Sequence, residues 1–227
     1  MKIKGAIFDM DGTLVESLFF WPMFWKMLGK KYLGDDNFSP DEDIDKRIRT
    51  MVFVDALKVI NKHFHFGADD DELIAYADQS VKAFYATEVY LKVGAAELLE
   101  HLQKQGIKMC LASATEMELV KFTLARLGID KYFDAALSCA DIGVGKDKPD
   151  IYLLSAKQLD LAPEELCVFE DSFVALETAK KAGFKTVGIF DRNNFGQDRL
   201  RAAAEIYVEN GQSLNVLAEN VEYPSCS

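Results

Sequence analysis

The chain has 227 residues, enough for one or two domains around a core of ordinary size. It is 49% hydrophobic and 28% charged, a globular mix, and no stretch approaches the ~20 apolar residues of a membrane span. The net charge of −11 argues against free nucleic acid and anionic membrane as partners. An anionic small substrate would therefore need local positive charge, from a metal or a few lysines.

In chain order, the apolar run "KGAIFD" (4–9) has strand length and leads at once into the acids Asp9 and Asp11 of "DMDGT". The N-terminus "MKIKGAIFD" passes from a short apolar run to acids rather than to a cleavage site, so a cytoplasmic location is expected. Residues 15–90 then read as helical: "LFFWPMFWKMLGKKYLG" (18–34), "EDIDKRIRTMVFVDALKVINKHF" (42–64) and "DDELIAYADQSVKAFYATEVY" (70–90), parted by acidic or glycine-containing linkers. The five aromatics of "LFFWPMFW" suit a core for this insert, with Phe20 or Trp21 as candidates to line a lid. His63 and His65 are spaced i, i+2 and do not face one another on a helix, which argues against zinc. Arg47 and Arg49 are expected to form surface salt bridges rather than reach a substrate.

Beyond the insert, strand-like runs at 107–112, 134–138, 166–170 and 184–190 alternate with helical patterns at 95–106, 116–128, 150–160 and 174–183. Alternation of this kind predicts an α/β fold: a Rossmann-like parallel sheet with helices on both faces. The expected division is an α/β core over 1–14 and 91–227, with an inserted α-helical cap domain over 15–90. No pair among Cys110, Cys139, Cys167 and Cys226 has C-x-x-C spacing. Cys110 and Cys167 fall within strand-like runs, so buried reduced thiols are expected.

In an open parallel sheet, ligands gather beyond the carboxyl ends of the strands. Asp9 and Asp11 follow the first strand, Ser113, Ala114 and Thr115 the second, a loop with Lys146 and Lys148 the third, and Glu170 and Asp171 close the fourth. Residues i and i+2 of an extended segment point the same way, so Asp9 and Asp11 repel one another unless something positive lies between them or one of them is protonated. A hard divalent cation with oxygen ligands would relieve the repulsion among Asp9, Glu170 and Asp171. Thr115-x-x-Glu118 has capping-box spacing, which assigns Thr115 to a helix start and leaves Ser113 with the Ala114 amide as an anion site. Taken singly, "DMDG" could be a surface loop, Ser113 a turn residue, and the lysines and paired acids solvated side chains.

Taken together and in order, "DMDGT", "LASAT", "GKDKPD" and "FEDS" resemble the four motifs of the haloacid dehalogenase superfamily of phosphohydrolases, over the whole chain. The chain is most similar to the β-phosphoglucomutase and sugar-phosphate phosphatase branch, whose small helical cap matches the insert. The resemblance implies a Mg2+-dependent phosphatase acting on a small phosphorylated metabolite, such as a sugar phosphate. Asp9 would be the nucleophile and Asp11 the general acid and base. Ser113, Ala114 and Lys146 would bind phosphate, and Asp9, Asp11, Glu170 and Asp171 form the candidate metal set. The family spells its third motif K-P-x-P-D. Aligning Pro149-Asp150 favours Lys146 over Lys148, with Asp147 in place of the usual proline.

The main alternative is a β-phosphoglucomutase-like isomerase. The mutases usually carry a histidine near the position of Trp21, and its absence here argues against that reading. Dehalogenases need no metal and lack the acid at Asp11. Receiver-type signalling modules lack the helical insert, and a binding-only relative would have no reason to keep every catalytic residue type. A monomer is expected, with no nucleic-acid or membrane partner.

Overall fold

The computed structural model describes residues 2–49, 51 and 53–220; Cys226 lies outside them. The chain divides into two units, one formed by Met1–Leu18 and Val89–Ser227, the other by Phe19–Glu88. In the first unit, β1 (Gly5–Phe8) is followed by β2 (Val15–Glu16). The second unit holds α1 (Phe20–Leu28), a π-helical turn at Gly29–Leu33, α2 (Glu42–Arg49), α3 (Phe53–Phe64) and α4 (Asp70–Thr87). The chain then returns through β3 (Tyr90–Leu91), which pairs antiparallel with β2. That pairing places Val15 and Glu16 in the first unit, beyond the residue 14 boundary expected from the sequence.

From there the alternation is regular: α5 (Ala95–Lys104), β4 (Lys108–Ser113), α6 (Met117–Leu127), β5 (Ala135–Ser138), the short α7 (Cys139–Ile142), α8 (Asp150–Leu159), β6 (Leu166–Glu170), α9 (Phe173–Lys181), β7 (Lys185–Ile189), α10 (Gln197–Ala203) and β8 (Ile206–Val208). The sheet order is β5-β4-β1-β6-β7-β8, with every pair parallel. The chain builds outward from β1 to β5, then returns to place β6 on the other side of β1. Such a reversal opens a crevice at the carboxyl ends of the strands on either side of it.

Parallel strands are covered on both faces and so read as continuous apolar runs. Gly5, Ala6, Ile7 and Phe8 are all buried, as are Leu166, Cys167, Val168 and Phe169. Phe8 stacks on Phe169 of the neighbouring strand with ring centroids 4.3 Å apart. Burying one such side chain is worth about 1.5–3 kcal/mol. β8 lies beyond the strand-like runs of the sequence: it is three residues long and at the sheet edge, with two of its residues only half buried.

The insert packs its aromatics on one another. Phe20 stacks on Phe24 at 5.0 Å and meets Phe84 of α4 at 5.1 Å. Pro22 falls in the first turn of α1, where a missing N–H costs no helical hydrogen bond. The run 42–64, read as one helix, is two. α2 places Glu42, Asp43 and Asp45 in its first turn and Lys46, Arg47 and Arg49 in its last, so its own charges complement the helix dipole. Arg49 is held on Asp45 by Nε at 3.0 Å and Nη2 at 2.6 Å, and its guanidinium lies 5.4 Å from the Trp21 ring. α4 is capped by Asp69, whose carboxylate accepts from the amides of Asp71 and Glu72. Among the described residues, no helix is long and apolar enough to cross a membrane.

Candidate active site

β1 and β6 are in register, Phe8 opposite Phe169, so the next residues of the two strands emerge side by side. The Asp9 amide donates to the Phe169 carbonyl at 3.0 Å, fixing Asp9 beside Glu170. One carboxylate oxygen from each of Asp9, Glu170 and Asp171 lies within 4.8 Å of the others, and all three residues are buried. Gly12 makes this closeness possible. Its φ is +79°, and a Cβ there would sit 2.2 Å from Oδ2 of Asp171.

Lys146 enters from the loop after α7. Its ammonium contacts Oδ1 of Asp9 and lies 2.5 Å from Oε1 of Glu170. Lys148 is exposed and turns the loop through its amide, which donates to the Gly145 carbonyl. Of the two candidate lysines, the structure thus puts Lys146 against the acids.

Three carboxylates and one ammonium leave an excess of negative charge in a buried place. Burial pushes the Asp9 carboxyl up to about 8; Lys146 pulls it down, while Glu170 and Asp11 push it up again. Burial also raises Asp171 well above the usual carboxylate range, reinforced by Asp9, Glu170 and Asp191. Burial works against the charge of Lys146, but Asp9 and Glu170 outweigh it, and the ammonium is held more firmly than usual. The donor set is all hard oxygen, and the deficit is one of positive charge. These residues fit a small divalent cation held by Asp9, Glu170 and Asp171.

The Asp11 carboxylate stands outside that set. Its Oδ1 accepts from the Ser17 hydroxyl at 2.8 Å and its Oδ2 from the Thr115 hydroxyl at 2.7 Å. The expected capping box is therefore not formed. α6 begins after Glu116, with no side-chain cap, and Thr115 spends its hydroxyl on Asp11 instead. Ser113 is fully buried at the end of β4, where its Oγ accepts from the Thr115 amide at 3.0 Å. Ala114 is exposed between them. Ser138, closing β5, donates to the Thr115 carbonyl at 2.7 Å and so braces the same turn.

Three residues at the site have no role assigned to them from the sequence. Tyr152 is buried on α8 and donates to Oε1 of Glu170 at 3.0 Å. Thr13 donates to Oδ1 of Asp171 at 3.2 Å, and Asn194 to Oδ2 at 2.7 Å. Tyr152 occupies an apolar helical position, and Asn194 lies in a loop without a pattern. Thr13 alone was visible in principle, as the last letter of "DMDGT".

The description "haloacid dehalogenase-like hydrolase" belongs to the family model that matches residues 3–183. The chain is 30% identical over 222 residues to a phosphorylated carbohydrates phosphatase of Thermotoga maritima, covering 96% of this chain and 99% of that protein. It is 26% identical to a β-phosphoglucomutase of Bacillus subtilis, covering 94% and 92%. A solved crystal structure from Thermotoga maritima matches with a TM-score of 0.78 at 29% identity, over 96% of this chain and 99% of that one. The sheet order, the carboxylates at the strand ends and these likenesses agree: the chain belongs to the haloacid dehalogenase-like hydrolases.

Proposed function

We propose that this hydrolase is a Mg2+-dependent phosphatase acting on a small phosphorylated carbohydrate through an aspartyl-phosphate intermediate. The observation that carries the reading is the placement of Lys146 between Asp9 and Glu170, with Asp171 beside them and Asp11 held apart by two hydroxyls. Two carboxylates one residue apart thus have different surroundings, which suits two different tasks.

Asp9, Glu170 and Asp171 would hold the Mg2+, whose charge would offset that of the phosphoryl oxygens. A carboxylate oxygen of Asp9 attacks phosphorus, and the bond from phosphorus to the sugar oxygen breaks. Asp11, held by Ser17 and Thr115, gives that oxygen its proton. Asp11 then takes a proton from the water that attacks the aspartyl phosphate, releasing inorganic phosphate and restoring the Asp9 carboxylate. Lys146 opposes the rise that burial imposes on the Asp9 carboxyl and faces the incoming phosphate with a fixed positive charge. The Ser113 hydroxyl and the Ala114 amide complete the phosphate contacts from the end of β4.

The chemistry is tested by a panel of phosphorylated sugars with Mg2+, scored both for phosphate release and for isomerisation, with Asp9→Asn in parallel. Release with the parent and its loss in Asp9→Asn supports the reading. Isomerised sugar without net phosphate release would assign the mutase instead. Asp9→Asn activity within about tenfold of the parent would remove Asp9 as nucleophile.

A further inference from the structure

The loop after β7, "FDRNNFGQD" (190–198), is anchored more firmly than its sequence suggests. Asp191 is 1% exposed, and Lys92 donates to its Oδ2 at 2.9 Å and to Glu16 Oε1 at 3.2 Å. The other oxygen of Asp191 accepts from the Asn193 amide at 2.8 Å. The Asp191 carbonyl accepts from the Asn194 amide at 3.2 Å and from the Gln197 side chain at 3.1 Å. The Asn194 side chain has one orientation consistent with its neighbours. Its Oδ1 accepts from the Phe195 amide at 2.8 Å, which turns Nδ2 to Asp171, 2.7 Å from Oδ2 and 3.2 Å from the backbone oxygen.

We propose that Asn194 is a positioning residue for the cation site, holding the Asp171 carboxylate in the orientation in which it serves as a ligand. The role rests on the Mg2+ reading given above. A neutral amide suits it for a reason of charge. With all three carboxylates ionised, as ligands to a cation are, the cluster and Lys146 carry a surplus of about two negative charges, the complement of a divalent ion. A lysine or arginine at 194 would orient Asp171 equally well but cancel half of that surplus. An amide donates a hydrogen bond and leaves the charge in place. Thr13 grips the opposite oxygen, also through a neutral donor, so Asp171 is aligned from both sides without losing its attraction for a cation. Partners of this kind are worth roughly 10–100-fold in metal affinity.

The test is Mg2+ binding by isothermal titration to the parent, Asn194→Ala and Asn194→Gln, with thermal unfolding of each metal-free protein. The proposal expects Asn194→Ala to bind Mg2+ about 10–100-fold more weakly while its metal-free melting temperature stays within a few degrees of the parent. Asn194→Gln, which keeps the amide on a longer stem, should fall between the two. Affinity within about twofold of the parent in Asn194→Ala overturns it. So does a loss of affinity matched by a collapse of metal-free stability, which would mark a general structural role. Should Asn194→Ala not fold, Asn194→Leu, close in size but without the donor, decides in its place, and affinity within about twofold of the parent there overturns the proposal. A parent that binds no Mg2+ removes the cation reading itself, and the role of Asn194 with it.

Discussion

The Thr115 hydroxyl donates to Oδ2 of Asp11 at 2.7 Å, joining residues 104 apart in the sequence and the loops that follow two neighbouring strands of the sheet. With Ser17 on the other oxygen, it fixes the carboxyl that would protonate the leaving group. A mispositioned acid matters most when the leaving oxygen needs its proton. We expect Thr115→Val to lower kcat on a sugar phosphate by about tenfold, a fraction of the 100- to 10,000-fold that general acid–base catalysis commonly supplies. On p-nitrophenyl phosphate, whose phenolate departs without protonation, the loss should be markedly smaller. An equal loss on both substrates would detach Thr115 from the acid's role.

Thr115 also shows where the sequence stops being legible. The spacing Thr115-x-x-Glu118 satisfies a local rule, but the hydroxyl can make one strong donation, and the Asp11 carboxylate in the loop after β1 outcompetes an exposed helix start. Asp9, Glu170 and Asp171 could be found because each follows an apolar strand run, and a parallel sheet brings strand ends together whatever the intervening lengths. Lys146 was separable from Lys148 only by its distance from Pro149. Tyr152 and Asn194 could not be found at all. Each acts through one hydrogen bond set by tertiary packing, and nothing in its neighbourhood departs from an ordinary helix or loop. The division into α2 and α3 leaves no mark in the sequence, where Met51, Val52 and Phe53 continue the apolar pattern.

The two loop lysines give the sharpest contrast. Lys146 is 12% exposed in its side chain and contacts two acids; Lys148 is exposed and contacts neither. If Lys146 offsets charge on Asp9 and the phosphate, Lys146→Ala should slow turnover a hundredfold or more, on the order of 3 kcal/mol of transition-state stabilisation. Lys148→Ala should change it only a few-fold. Steady-state rates of the two variants, with melting temperatures to confirm folding, check the pair. A larger loss in Lys148→Ala would exchange their roles.

Tyr152 offers a test of support beneath the site. Burial, then the charges of Glu170 and Asp9, hold its phenol well above the usual tyrosine range, so it remains a hydrogen-bond donor at every working pH. Tyr152→Phe keeps the ring and its packing against Phe184 but takes the donor from Glu170, leaving that carboxylate with Lys146 and the Ser172 amide. A hydrogen bond to a charged group contributes about 1.5–3 kcal/mol. Urea unfolding of the metal-free variant should show a loss of that order, with an unchanged denaturant slope. An undiminished midpoint would mean that Glu170 finds an equivalent partner in water.

The thiols bear on both reactivity and pH. Burial pushes Cys110 up to about 11, raises Cys167 well above the ordinary thiol value, and raises Cys139 as well. The attacking species in thiol chemistry is the thiolate, which at pH 8 is a minute fraction of a group titrating near 11. In a Cys226→Ser background, which removes the thiol outside the described residues, the native protein should react slowly with an aromatic disulfide reagent. On unfolding it should release three equivalents promptly, for Cys110, Cys139 and Cys167. The same shift sets a sign for stability. An unfolded thiol ionises near about 8.5, whereas folded Cys110 stays protonated until about 11, so above the lower value the unfolded state gives up a proton that the folded state keeps. Its contribution to stability is therefore full below about 8.5 and is lost as pH climbs toward 11. Cys110→Ala should flatten that alkaline decline relative to the parent in denaturant midpoints measured across the interval. Parallel curves for the two proteins, or prompt labelling of the native state, would contradict the buried, protonated thiol.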